Sequence, residues 1–201
     1  MGLCKYVIST IKQSFENRCL ILLLDAYNLS IIENRYSVDW LENDFTETLD
    51  YYIAKSPKRI KWNISNHTEQ HLHNETQVEK GFADREKRID LKMSHISCNK
   101  EFHFYVEAKR LKEHDSYLKR RYVDTGIDNY VHAIYPKGIL VGYLLVGSVD
   151  NTICGINKIL IKDNRSTEKL IRKEHSSYQY YFESTHSGYG VLRHFILNYT
   201  K

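Results

Sequence analysis

Proline is scarce in this chain, and no long stretch has the composition of a linker. Only 2 of the 201 residues are proline, and no Gly/Ser-rich segment separates one part of the sequence from another. Flexible connections between domains usually have such a composition. We therefore expect one domain over residues 1–201, which is long enough to bury a substantial hydrophobic core.

Cysteine is also sparse, and apolar runs are short. The 4 cysteines (Cys4, Cys19, Cys98 and Cys154) include no Cys-x-x-Cys pair, which excludes a zinc knuckle and favours a reducing compartment. Residues 1–6 lack the apolar core of a signal peptide, and the apolar run at 19–24 is too short to span a bilayer. These observations predict a cytoplasmic protein without membrane contact.

Two segments in the middle of the chain show the alternation of a half-buried strand. In residues 88–93 every second residue is apolar, and in residues 102–111 one parity is apolar up to Ala108. Residues 94–100 are polar enough to connect the two strands as a hairpin loop. If the strands pair, Asp90, Glu107 and Lys109 converge at one edge of the sheet.

Two carboxylates and an ammonium group at one point suit the cleavage of a phosphodiester. Carboxylate oxygens bind Mg²⁺, and the Ala108 carbonyl is a further candidate ligand. The ion stabilises charge on the phosphate and lowers the pKa of a bound water. Lys109 is then placed to orient that water. The alternative is a pair of strands whose charged face is simply solvated.

The residues Asp90 and Glu107-Ala108-Lys109 resemble the motif of the PD-(D/E)xK nuclease superfamily. Ile89 stands where the motif has proline, which is a frequent departure, and all three charged positions are present. The resemblance implies a restriction-endonuclease-like fold and a Mg²⁺ or Mn²⁺ cofactor. It also implies a glutamate from the helix before the hairpin, for which we choose Glu42 first and Glu47 second. The alternative for either glutamate is a solvated helix face favoured by the helix dipole.

The remaining pattern predicts helices on both sides of this hairpin. We expect helices at 5–34, from an N-cap at Ser37 to Ser56, at 112–135 and at 149–162, with a first strand at 62–64. The apolar run 139–147 predicts a strand buried on both faces, and 191–199 the last strand. This order predicts an α/β domain with a mixed central sheet flanked by helices.

A basic region follows the second strand of the hairpin, in a chain whose net charge is +4. That charge is compatible with a polyanionic partner but does not identify one. We expect the region to contact nucleic-acid phosphates, with a solvated helix face as the alternative. The candidate residues are Arg110, Lys112, Lys119, Arg120 and Arg121.

Histidines give two weaker signals. We assign His186 an accessory role, as a phosphate contact or an acid, against the alternative of a structural histidine at a strand end. His67, His71 and His73 lie in a polar stretch that resembles a loop. Their His-x-x-x-His spacing suits a zinc site if the stretch is a helix.

The sequence therefore predicts a Mg²⁺-dependent DNA endonuclease. Residues 178–186 and 193–197 loosely resemble the C-terminal strands of restriction-like proteins of bacterial defence systems, which implies a role in restriction or phage defence. No large recognition region is visible, so we expect a homodimer or a companion subunit. RNA as the substrate stays open, because the same metal chemistry cleaves both polymers. The alternative from another class is a non-catalytic nucleic-acid-binding or scaffold subunit of a defence complex.

Overall fold

The structure is a computed structural model that describes residues 2–72 and 87–200, without the side chains of residues 2–5. The described residues therefore do not include His73 or the charged segment 79–86. Cys4 is described without its side chain. The helices are α1 (Gly2–Ile32), α2 (Glu42–Lys55), α3 (Pro57–Lys61), α4 (Ser116–Arg121), a π-helix (Tyr122–Ile127), α5 (Asp128–Val131), α6 (Val149–Lys162) and a 3₁₀ turn (Ser166–Glu168).

The strands form a mixed sheet with seven strands in the described residues. They are β1 (Ser65–His71), β2 (Arg88–Ser97), β3 (Lys100–Lys112), β4 (Ile139–Val146), β5 (Ile171–Arg172), β6 (Tyr181–His186) and β7 (Gly190–Asn198). The order is β1-β2-β3-β4-β7-β6-β5. The central neighbours β3, β4 and β7 are parallel, and the outer pairs are antiparallel.

Hydrophobic cores cover both faces of this sheet. On one face α1 and α2 pack over residues such as Val106, Val141 and Phe195. On the other face the segment 118–130 and α6 pack over Leu140 and Ile196. The predicted α/β domain with a mixed central sheet flanked by helices is confirmed.

The strand predicted at 139–147 is confirmed as β4, at the middle of the sheet. Every residue of β4 except Val146 is buried. A strand with no solvent-facing side has no need for alternating polar residues, which explains its continuous apolar sequence. The helix predicted at 149–162 is also confirmed.

The hairpin between β2 and β3 has a shorter connection than the one we predicted at 94–100. The strands continue through Ser97 and Lys100, and only Cys98 and Asn99 form the turn, with φ of 52° and 56°. Two successive positive φ values match the twist of paired strands, and asparagine tolerates them. Because Ser94, His95 and Ser97 are polar, the apolar alternation stops at Met93, and the sequence did not indicate that β2 continues to Ser97.

Three predicted boundaries are wrong for local reasons. Helix α2 begins at Glu42, not after Ser37, because Asp44 caps its start by accepting the Leu41 N–H at 2.7 Å. Residues 62–64, predicted as a strand, form the turn that follows the short helix α3, which Pro57 initiates. The helix predicted at 112–135 begins only at Ser116, because β3 extends to Lys112.

The zinc interpretation of the histidine stretch is also wrong for its described part. His67 and His71 lie on β1 rather than on a helix. Four residues along a strand span roughly 13 Å, which is too far for two ligands of one zinc ion. Among the described residues, no helix has both the length and the apolar character needed to cross a membrane.

Candidate active site

Asp90 and Glu107 lie where β2 and β3 stop pairing. The backbone ladder between these strands ends at Leu91 and Val106, and from Val106 onward β3 pairs with β4. Asp90 fills the resulting gap, since its Oδ2 accepts the backbone N–H of Ala108 at 2.7 Å. The separation of the strands therefore gives one carboxylate a fixed position beside the next residue of β3.

Lys109 lies at the centre of the candidate site. Its Nζ donates to Glu107 Oε1 at 2.5 Å, to the Ala108 carbonyl at 2.7 Å and to Glu42 Oε1 at 3.2 Å. Burial leaves only 4% of Lys109 and 3% of Glu107 exposed. We call Glu42, Asp90, Glu107 and Lys109 the Lys109 cluster.

Glu42 reaches the cluster from the first residue of α2. Its Oε2 accepts the backbone N–H of Arg110 at 3.0 Å, and Arg121 Nη2 lies 3.7 Å from its Oε1. Glu47 lies one turn further and instead accepts a hydrogen bond from Thr68 at 2.5 Å, on an exposed surface. Of the two glutamates considered from the sequence, the structure brings Glu42 to the cluster and leaves Glu47 outside it.

Burial changes the proton affinity of the buried Glu107 and of the partly buried Asp90. It raises the pKa of Glu107 to about 8, and the charge of Asp90 adds to this effect while Lys109 opposes it. Burial also raises the pKa of Asp90, against the attraction of Lys109 and the hydrogen bond from Ala108. Two neighbouring carboxyl groups in a dry site retain a proton more readily than either does alone.

Lys109 shifts in the opposite sense to an isolated buried lysine. Burial by itself lowers its pKa, but Glu107, Glu42 and Asp90 together outweigh burial, so the net pKa is raised. Lys109 therefore stays an ammonium group at neutral pH. It is a hydrogen-bond donor and a fixed positive charge rather than a base.

Comparisons with protein-family models, with curated proteins and with solved structures found no match to this chain.

The atoms of the cluster that could coordinate a metal ion are all carboxylate oxygens, which suits Mg²⁺ or Mn²⁺. Glu107 Oε2 is buried and has no hydrogen-bond partner, so it retains an unused lone pair. Within the part of the chain that the structure describes, no three His, Cys, Asp or Glu side chains form a preformed metal site. The ammonium of Lys109 lies among the carboxylates instead. The oxygens fit a divalent ion in kind, and Lys109 occupies the space between three of them.

Two further residues support the cluster, and the sequence pattern did not single them out. The Tyr135 hydroxyl donates to Glu107 Oε1 at 3.4 Å. Gly126 allows the π-helix to approach β3 closely, since a Cβ there would lie 3.5 Å from Lys109 Cγ and 3.0 Å from Leu140. The only sequence signal for Tyr135 is its place before residues 136–138, which lead into β4 beside β3.

The basic residues predicted to contact nucleic acid separate into two groups. Arg110 and Arg121 lie at the cluster, where Arg110 Nη1 also donates to the Trp40 carbonyl at 2.9 Å. Lys119 donates to the Glu113 carbonyl, and Arg120 is paired with Asp163 at 2.5 Å. Lys112 is partly exposed at the end of β3.

The structure does not bring His186 to the Lys109 cluster. Its exposed fraction is 2%, its Nδ1 lies 2.6 Å from Glu168 Oε2 and its Nε2 lies 2.6 Å from Ser184 Oγ. Ser184 Oγ lies 2.7 Å from His194 Nε2, and His194 Nδ1 lies 3.0 Å from the Tyr122 hydroxyl. We call Glu168, His186, Ser184, His194 and Tyr122 the histidine chain. A phosphate cannot reach His186 there, so the expected accessory role is wrong and the structural alternative describes this residue.

Proposed function

We propose that this protein is a Mg²⁺-dependent endonuclease of DNA with a restriction-endonuclease-like fold. One observation carries the proposal: the Lys109 ammonium lies within hydrogen-bonding distance of Glu107, Glu42 and the Ala108 carbonyl. Asp90 is fixed beside it by the Ala108 N–H. A solvated charged strand face has no reason to bury Glu107 and Lys109 and to bring Asp90 and Glu42 against them.

Asp90, Glu107 and the Ala108 carbonyl would hold the divalent ion, and Glu42 would complete the set of oxygens. When bound, the ion supplies positive charge to the phosphate and makes water a better nucleophile at neutral pH. Lys109 would donate to an anionic oxygen next to the carboxylates in place of one of its three present acceptors, since its raised pKa keeps it protonated. A positioned charge of this kind acts mainly on the transition state.

Glu107 must release a proton before both of its oxygens can serve as ligands. Burial raises its pKa to about 8, so at pH 7 the free protein holds that proton for much of the time. A bound divalent ion competes with the proton for the same oxygen. We therefore expect Mn²⁺ affinity to increase as the pH rises from 6.5 to 8.5.

The role in restriction or phage defence, and assembly as a homodimer or with a companion subunit, belong to the same proposal. They rest on the sequence resemblance. A second chain would extend the contact with a duplex, since Arg110 and Arg121 are the predicted basic residues that lie at the cluster.

The decisive experiment incubates the purified protein with supercoiled plasmid, linear duplex, single-stranded DNA and RNA, in the presence of Mg²⁺ or Mn²⁺. We expect cleavage of DNA that EDTA abolishes. The Asp90→Ala variant, purified in parallel, controls for contaminating nuclease and should be inactive. Calorimetric titration with Mn²⁺ should show binding by the wild type and a large loss of binding by Asp90→Ala.

Absence of both cleavage and Mn²⁺ binding would contradict the proposal and favour the scaffold alternative. Cleavage of RNA but not DNA would retain the chemistry and change the substrate. Equal cleavage by the wild type and Asp90→Ala would show that the activity comes from another protein.

A further inference from the structure

A cavity of about 570 Å³ opens beside the Lys109 cluster. This size lies within the usual range of small-ligand sites. Its wall includes four tyrosines (Tyr105, Tyr130, Tyr135 and Tyr189) and two lysines (Lys92 and Lys137). The proposed nuclease function assigns no role to these residues other than the contact of Tyr135 with Glu107.

The cavity is continuous with the cluster along the hairpin. Tyr105 and Lys92 are directly paired across β3 and β2. Two residues further along each strand lie Glu107 and Asp90, and alternation places them on the same face. Tyr135 belongs to both places, because it lines the cavity and donates to Glu107 at 3.4 Å. A ligand in the cavity is therefore a neighbour of a phosphate held at the cluster.

Aromatic rings form two levels of the wall. Tyr130 and Tyr135 are buried, and Tyr130 is fixed by a hydrogen bond of 2.8 Å from its hydroxyl to the Ile139 carbonyl. Tyr105 and Tyr189 are only partly buried and can expose their ring faces to a ligand. Such rings bind a planar base by stacking, independently of its sequence.

The remaining polar groups are positively charged or hydrogen-bonding. Lys137 Nζ lies 5.7 Å from the centre of the Tyr189 ring, and no carboxylate belongs to the described wall of the cavity. His71 Nδ1 also lies in the wall, buried and without a hydrogen-bond partner. Stacking rings together with cations suit a ligand that combines a flat base with a phosphate.

We propose that this cavity binds one unpaired nucleotide of a DNA strand, next to the phosphate that the Lys109 cluster cleaves. The base stacks against Tyr105 and Tyr189, and Lys92 and Lys137 contact the adjoining phosphate. The inference rests on the proposed nuclease function and narrows its substrate. A base within a duplex must first leave its stack to enter the cavity, so single-stranded DNA binds better than duplex DNA.

Binding without metal tests this inference separately from cleavage. Fluorescence anisotropy in EDTA and constant salt compares a labelled 12-nucleotide strand with the same strand in a duplex. We expect the single strand to bind the wild type about tenfold more tightly. Tyr189→Ala should weaken binding of the single strand about tenfold, the typical effect of one lost stacking contact, and change duplex binding little.

Two controls separate stacking from other effects. Tyr117→Ala removes a tyrosine that is 69% exposed on α4, outside the cavity, and should bind like the wild type. A strand with abasic positions at its centre should bind the wild type about as weakly as the intact strand binds Tyr189→Ala. Thermal unfolding of Tyr189→Ala and Tyr117→Ala checks that both are folded.

Equal affinity of single and duplex strands, or an unchanged affinity in a folded Tyr189→Ala variant, would overturn the inference. A preference for the single strand that Tyr189→Ala abolishes would support it even if no cleavage were found, in which case only the nuclease function would fail. Conversely, metal-dependent cleavage with no effect of Tyr189→Ala would leave the nuclease and remove the nucleotide site.

Discussion

The Lys109 cluster and the histidine chain are two buried polar groups on the same face of one sheet, and they differ in how completely their atoms are bonded. In the histidine chain each ring nitrogen has one partner, at distances from 2.6 to 3.0 Å. In the Lys109 cluster, Glu107 Oε2 is buried with none. A natural fold tolerates an unsatisfied buried oxygen rarely, and such atoms concentrate at functional sites.

The histidine chain has a single consistent arrangement of protons. Burial lowers the pKa of His186 and lowers that of His194 to about 3, so both rings are neutral. Glu168 accepts from His186 Nδ1, which makes His186 Nε2 the acceptor of the Ser184 hydroxyl. Ser184 then accepts from His194 Nε2, and Tyr122 donates to His194 Nδ1. Every donor has an acceptor, so the chain needs no ligand.

The Lys109 cluster is bonded less completely, because Glu107 Oε2 gains a partner only while Glu107 is protonated and shares that proton with Asp90. Three carboxylates surround one ammonium, and one of them, Glu107, holds its proton up to a pKa of about 8. A divalent ion relieves this situation because it supplies charge to oxygens that one lysine cannot satisfy. Under the proposed function the histidine chain serves the fold and the Lys109 cluster serves a ligand, and substitutions can test each side of this comparison.

The largest expected effect is on cleavage by Lys109→Ala. In the proposed mechanism Lys109 would act on the reacting oxygens and would not hold the metal, so its loss should lower the cleavage rate by roughly a hundredfold or more. Mn²⁺ binding should be at least as strong as in the wild type, because a competing positive charge is removed. Gel assays of cleavage and calorimetry of Mn²⁺ binding measure the two effects.

Ser184→Ala supplies the matched comparison for Lys109→Ala, since Ser184 is equally buried but belongs to the histidine chain. Its cleavage rate under conditions where it is folded should stay near that of the wild type. If Lys109→Ala cleaves normally, or if Ser184→Ala loses activity while folded, the assignment of the two groups is reversed.

The second expected difference between the two groups concerns the free energy of unfolding. Ser184→Ala leaves His186 Nε2 and His194 Nε2 without their partner in a buried position, and each unsatisfied group costs roughly 1–3 kcal/mol. We expect a loss of about 3 kcal/mol in the free energy of unfolding, measured by urea denaturation. Ser177→Ala, at an exposed serine, is the control and should change little. A stability of Ser184→Ala equal to that of this control would show that the chain does not support the fold.

Sequence reasoning identified the hairpin and its charged residues because alternation and the Glu-x-Lys spacing are local. It also predicted β4 and α6 from their apolar patterns. It did not predict the histidine chain, whose members lie on β6, β7, the π-helix and the 3₁₀ turn. Contacts between residues that are far apart in sequence depend on strand order, and no local pattern encodes that order.

The same limit explains the error at His186 and the incomplete site. A histidine at a strand end has the same local sequence whether it faces solvent or a buried glutamate. Tyr135 and Gly126 reach the cluster only because β4 lies beside β3 and the π-helix packs over both. Glu42 could be predicted because the resemblance to the nuclease superfamily implies a glutamate from the helix before the hairpin. Its contact with Lys109 depends on how α2 packs against β3.

The third difference is the direction in which stability depends on pH. The lowered pKa values of His186 and His194 make the histidine chain lose stability as the pH falls below their ordinary value of 6.5, whereas Glu107 makes the Lys109 cluster lose stability as the pH rises. The folded-state pKa of Glu107, about 8, lies above its ordinary value of 4.5. Its contribution is therefore fully present below pH 4.5 and is lost as the pH rises through 8. Glu107→Gln should remove this loss, with a change on the order of 2 kcal/mol between pH 5 and 8.5, because relaxation of the site on ionisation reduces the roughly 4 kcal/mol that the full shift represents.

Thermal unfolding of the wild type and Glu107→Gln from pH 5 to pH 8.5 measures that change. The wild type should lose stability relative to Glu107→Gln as the pH rises. Parallel curves for the two proteins would mean that Glu107 is ionised throughout the range, and the argument for a retained proton would fail.

The smallest expected effect distinguishes Arg121 from Arg120. We predicted from the sequence that both of these adjacent residues contact nucleic-acid phosphates. Arg121 lies 3.7 Å from Glu42, at the cluster, whereas Arg120 is paired with Asp163 at 2.5 Å and approaches Asp124 at 3.4 Å. Arg121 is free to contact a phosphate once a metal neutralises Glu42, and Arg120 must first leave two carboxylates. DNA affinity should be measured as a function of salt concentration, with Ca²⁺ as the divalent ion in place of Mg²⁺. Arg121→Ala should reduce the slope of log K against log salt by roughly 1, the effect of one lost phosphate contact, and Arg120→Ala should leave it unchanged. Equal slopes for the two variants would show that proximity to the Lys109 cluster does not decide which basic residues bind DNA.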